Sequence, residues 1–66
     1  MLITKEMGIM ETVQKYPATV EVLQRFGMGC IGCAAAHFET LGQGAAAHGI
    51  DVPALVDALN KAIGEN

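Results

Sequence analysis

A chain of 66 residues with a net charge of −3 has room for one domain, 1–66, and no second. Its four basic side chains, Lys5, Lys15, Arg25 and Lys61, are scattered, which excludes the clustered positive footprint of a nucleic-acid binder. The 52% hydrophobic content argues for a packed core rather than disorder. A domain this short nevertheless buries only about 60% of its unfolded surface, and domains below roughly 70–80 residues often lean on a disulfide, a metal or a partner.

Other classes fall away on simple grounds. Tyr16, Phe26 and Phe38 stand far apart at helix-like apolar positions and read as core, not as a base-stacking platform. No apolar run approaches the ~20 residues that span a bilayer, and Met1–Glu6 lacks the basic region and apolar stretch of a signal peptide. The chain is therefore expected in the cytoplasm, away from membranes. In that compartment two cysteines at C-x-x-C spacing point to metal or redox chemistry more than to a staple.

In chain order, residues 1–7 form a lead-in, with Leu2 and Ile3 expected to tuck against the core and Thr4 to start a turn. A short extended piece could form here. Ile9, Val13 and Tyr16 share one helix face and predict a helix over 9–16, with Gly8 as N-cap and Glu11 at N3. Pro17 ends that helix and opens the next, over 18–26, whose stripe is Val22, Leu23 and Phe26 with Val20 on its flank. Gly27 suits the left-handed residue that closes it. After the glycine-rich stretch 27–33 a third helical piece is expected through Ala34–Phe38. Thr40 and Gln43 have capping-box spacing ahead of a short helix over 41–47, in which Gly42 and Gly44 each cost about 1 kcal/mol relative to alanine. Asp51 caps a last helix bearing Val52, Leu55, Val56, Leu59 and Ile63, closed by Gly64. The sum is an all-α bundle of four to five short helices.

Chemistry is offered by one stretch, Gly27-Met28-Gly29-Cys30-Ile31-Gly32-Cys33, which holds both cysteines. Serine and tryptophan are absent, no strand precedes the glycines to make a dinucleotide loop, and no carboxylate pair or triad competes. Three readings of the pair stand open. As a staple, a C-x-x-C disulfide closes so small a ring that it contributes about 2 kcal/mol at most, against about 3 for a 15-residue loop. As a redox pair at a helix N-terminus, it would gain about one unit of thiol acidification from the free N–H groups and dipole. Cys30, nearer the helix tip, would be the nucleophile and Cys33 the resolving thiol. As a zinc or iron–sulfur site it lacks ligands, since four are wanted. His37, four residues after Cys33, could add one, His48 is a conceivable fourth at an unhelpful distance in sequence, and a homodimer could supply two C-x-x-C pairs to one site. The plain alternatives are that His37 is a helix-surface residue and His48 a helix C-terminal one.

These residues carry a resemblance. Tyr16-Pro17, Phe26-Gly27-Met28-Gly29-Cys30-Ile31-Gly32-Cys33, Phe38-Glu39-Thr40-Leu41 and Ala47-His48-Gly49-Ile50-Asp51-Val52 together resemble the hybrid-cluster-protein-associated redox disulfide domain of bacteria and archaea. The chain is also distantly similar to the helical N-terminal domain of iron–sulfur cluster repair proteins. The resemblance implies a compact helical domain, alone or fused to redox proteins, with Cys30 and Cys33 as its functional residues. Gly42 and Gly44 depart from the pattern, where acidic or helix-favouring residues would be expected, and this puts the rigidity of that helix in question.

The sequence thus reads as a redox-active accessory domain more than a stand-alone enzyme. Cys30 and Cys33 cycle between dithiol and disulfide with a redox protein partner that supplies the electrons, since no cofactor site of the chain's own is evident. A metal- or cluster-binding module and a helical adaptor with structural cysteines are the alternatives. Met28 and Ile31 either form an apolar docking patch beside the thiols or turn inward to cap the core.

Overall fold

Helices of seven residues are marginal on their own and form here because each is closed by local hydrogen bonds at one end or both and lays one face on a common core. The computed structural model describes residues 2–28 and 39–64. Over these the chain is all-α, with α1 (Ile9–Lys15), α2 (Thr19–Arg25), α3 (Leu41–Ala47) and α4 (Val52–Ala62) in order. The helical piece expected through Ala34–Phe38 lies outside the described residues.

The caps are those the sequence announces. Gly8 is the N-cap of α1, and the Glu11 carboxylate accepts from its backbone N–H at 3.4 Å. Thr40 and Gln43 form a complete capping box on α3, each side chain accepting from the other's backbone N–H at 3.1 and 3.0 Å. Asp51 caps α4 by accepting from the Ala54 N–H at 3.2 Å. Helices α2 and α3 both close in a Schellman motif. In the first, Met28 N–H donates to the Leu23 carbonyl (2.9 Å) and Gly27 N–H to that of Gln24 (3.0 Å). In the second, Ile50 donates to Ala45 (2.8 Å) and Gly49 to Ala46 (3.2 Å).

The longest helix, α4, packs against α2 and α3, and Leu55 and Leu59 are fully buried on it. Leu23, Leu41 and Ala45 meet them from the neighbouring helices. Tyr16, Val20, Phe26, Val52 and Ile63 are half-buried around this centre. The two N-terminal apolar residues part company: Ile3 is completely buried, while Leu2 is 58% exposed and does not join the core. Consecutive residues of an extended segment face opposite ways, so only one of the pair can point inward.

Extended pairing among the described residues amounts to an isolated antiparallel bridge between Gly8 and Thr40. The backbone of Ile3 pairs instead with a side chain. The Asn60 carboxamide accepts from Ile3 N–H and donates to the Ile3 carbonyl, both at 2.9 Å, and also donates to the Val56 carbonyl. Asn60 is 1% exposed, so a polar side chain inside an apolar helix stripe is satisfied by taking the place of a neighbouring strand.

Candidate functional site

Cys30, Cys33, Ile31 and His37 lie outside the described residues. What the structure gives is the frame on either side of the segment that carries them. On the N-terminal side the Schellman closure of α2 decides where Met28 goes. A residue in that position contacts the last turn of its own helix, here Leu23. Gly27 takes φ of +89°, a conformation that a side chain would strain. Met28 is then 5% exposed and belongs to the core cluster with Ile9, Leu41 and Ala45. The inward alternative for Met28 is the one the fold adopts, and an exposed docking patch cannot include it.

On the C-terminal side, Glu39 and Thr40 are tied to the start of α1. Ile9 N–H donates to the Glu39 carbonyl at 3.0 Å, and Leu41 N–H donates to the Met7 carbonyl at 2.8 Å. Thr40 then caps α3, so this flank is fixed by a bridge and a capping box at once.

The two flanks meet at Gly44. A Cβ on this glycine would stand 2.7 Å from Ile9 Cδ1 and 2.9 Å from Met28 Cε. Both distances are shorter than packed side chains tolerate. Gly42 is similarly crowded by the lead-in, with Lys5 Cβ and the Lys5 carbonyl each 3.3 Å from where its Cβ would be. Gly42 N–H donates to that carbonyl at 2.9 Å. The two glycines that weaken α3 as an isolated helix are therefore the means by which other chain segments approach it. Their departure from helix-favouring residues leaves α3 formed across its whole expected span, 41–47.

His48 is the exposed C-cap of α3. Among the described residues, which do not include Cys30, Cys33 or His37, no three His, Cys, Asp or Glu side chains gather to hold a metal ion. Nor is any helix among them long and apolar enough to cross a membrane. The sequence reading places Ile9 on the face of α1 and Gly44 in α3 but leaves out Asn60. For Asn60 a signal existed, because it falls four residues after Val56, within the buried face of α4.

These features define a class: a small all-α domain in which α1 and α3 jointly hold both flanks of a C-x-x-C segment. The chain belongs to the family described as a domain of unknown function (DUF1858), whose model matches residues 3–56. It is similar to an uncharacterized protein from Methanocaldococcus jannaschii known from a solution structure. The two are 39% identical, with a TM-score of 0.86, and the match covers 94% of this chain and 85% of that one. No curated protein matches the chain.

Proposed function

We propose that Cys30 and Cys33 are a reversible dithiol–disulfide pair that exchanges electrons with a cytoplasmic protein partner, in the manner of the hybrid-cluster-associated redox disulfide domains that the sequence resembles. The observation that carries this reading is the C-x-x-C pair itself, which comprises both cysteines of the chain. Support comes from the frame. Met28 and Glu39, the described residues nearest the pair on either side, are built into the core and into a backbone bridge. Such investment suits a reactive segment that must present two sulfurs reproducibly.

The exchange is balanced in atoms and electrons. The Cys30 thiolate attacks one sulfur of a partner disulfide, forming a mixed disulfide and breaking the partner's S–S bond, and the partner's other sulfur leaves as a thiolate. The Cys33 thiolate then attacks the Cys30 sulfur. The Cys30–Cys33 bond forms, the mixed disulfide breaks, and the partner's second thiolate is released. Two electrons pass to the partner, and the two protons lost by Cys30 and Cys33 are matched by two taken up on its thiolates. A dithiol partner reverses every step.

The test is anaerobic purification of the reduced chain, followed by metal analysis and equilibration against graded reduced and oxidised glutathione. A metal-free chain that titrates reversibly as a two-electron couple, with Cys30→Ser and Cys33→Ser each abolishing the couple, is the expected result. Stoichiometric zinc or iron overturns the reading in favour of a metal- or cluster-binding module. Partner effects that survive both serine variants overturn it in favour of an adaptor.

A further inference from the structure

We infer that the lead-in, residues 2–6, is a detachable strap seated in a peptide-binding groove beside α4, and that this groove takes the same segment from a second copy of the chain. The occupant is the one the fold already displays. Among residues 2–6 only Ile3 is buried, and Leu2, Thr4, Lys5 and Glu6 are exposed. From Lys5 onward the backbone is fastened to α3. The Lys5 carbonyl accepts from Gly42 N–H at 2.9 Å, and the Met7 carbonyl accepts from Leu41 N–H at 2.8 Å. Ahead of Lys5, among the described residues, the hydrogen bonds to the helices are the two that Asn60 makes with Ile3. An open groove of about 450 Å³ lies between residues 3–6 and Val52, Pro53 and Val56 of α4, so that helix does not close over the strap there. One side chain and one carboxamide therefore hold the end of the strap.

An amide that takes both the N–H and the C=O of one residue reads extended backbone as a neighbouring strand would. It does so whichever molecule supplies that backbone. The Asn60 Nδ2 also donates to the Val56 carbonyl at 2.9 Å, a bond that keeps the amide oriented when the strap leaves. Selectivity then falls to the side chain between the two backbone bonds, as it does where a peptide adds to a sheet edge. A second copy brings the same isoleucine on the same backbone, so each chain can fill the other's groove with the contacts it makes in its own. The chain's own strap is the competitor. A ligand's apparent affinity falls in proportion to the fraction of grooves that stand open.

The experiment titrates a fluorescein-labelled peptide of residues 1–7 into the full chain and its variants, read by fluorescence anisotropy. Ile3→Ala weakens the chain's own strap and leaves the groove intact, so it should bind the peptide about tenfold or more tighter than the wild type does. Adding Asn60→Ala to that variant should remove the gain, and a peptide carrying Ile3→Asp should bind neither. Exchange between copies is read by sedimentation velocity on a mixture of two variants. The Ile3→Ala chain offers an open groove and the Asn60→Ala chain a free strap, so the mixture should form more dimer than either alone. Circular dichroism of each variant comes first. If Ile3→Ala does not fold, Ile3→Val takes its place, with an expected gain of about twofold or more. Equal peptide affinity for the wild type and the folded strap variant, binding that survives Asn60→Ala, or no added dimer in the mixture overturns the inference.

Discussion

The turn after α2 and the turn after α3 are built from the same backbone. Each has a glycine in the left-handed region, Gly27 at φ +89° and Gly49 at φ +70°, the same pair of crossed hydrogen bonds, and an apolar residue directly after the glycine. They differ in the chain they lead into. Ile50 is succeeded at once by Asp51, which caps α4, and Ile50 itself is only half-buried. Met28 is succeeded by residues 29–39, both cysteines included, before Thr40 caps α3, and Met28 is 5% exposed. Where another helix starts immediately, that helix's own stripe does the docking and the turn residue needs only partial cover. At the turn after α2 it is Met28 that reaches the core and holds the end of the helix in place.

The two turns are told apart most forcefully at the residue beneath each. Leu23 lies three positions before the α2 C-cap and is fully buried; Leu23→Ala should destabilise the fold by about 2–5 kcal/mol in urea denaturation. The corresponding residue of α3, Ala45, is already small, so its turn has no such weakness to expose. Next in size is Asn60→Ala, which leaves the buried N–H and carbonyl of Ile3 without partners and should cost about 1–3 kcal/mol. Its loss should read the same in stability at both turns and should not alter thiol labelling.

A sharper test substitutes the two glycines themselves. Among the described residues, chain neighbours aside, no atom lies within 4 Å of where a Cβ would stand at Gly27 or Gly49, so each change to alanine carries a conformational cost of about 1–2 kcal/mol. The two melting temperatures should fall alike, while only Gly27→Ala changes labelling of the cysteines. Equal labelling in both would show that the turn after α2 does nothing the turn after α3 does not. The smallest effect is expected away from both turns. The exposed Glu21–Arg25 and Asp57–Lys61 pairs, at 3.2 and 3.1 Å, should each contribute less than about 0.5 kcal/mol, so Asp57→Asn should leave unfolding nearly unchanged.

Much of this frame is legible in the sequence. Apolar periodicity with Gly8, Thr40 and Asp51 as caps predicts three helix starts that the fold places as read, and Gly27 and Gly64 close helices with positive φ. Those signals are local, confined to a turn or two of chain. What is not legible is long-range. Gly44 reads as a weak helix residue because the crowding that requires it comes from Ile9 and Met28, far away in sequence. Asn60 reads as a polar residue near a helix end because its partner is Ile3. Leu2 and Ile3 cannot be told apart by composition, and only pairing with Asn60 fixes which one faces inward. The cysteine pair is announced by spacing alone, and its surroundings lie outside the described residues.

The Asn60 amide also bears on the order in which the molecule assembles. It joins residues 57 apart, nearly the whole length of the chain, whereas the caps and helix-closing turns join residues three to five apart. Closing a loop that long costs entropy which local contacts do not incur. The helices and their turns can gather before the two ends of the chain are clasped. A contact made after the folding barrier is one whose removal speeds unfolding and leaves folding nearly as fast as before. Asn60→Ala is therefore expected to speed unfolding more than it slows folding, which unfolding and refolding rates in urea would check.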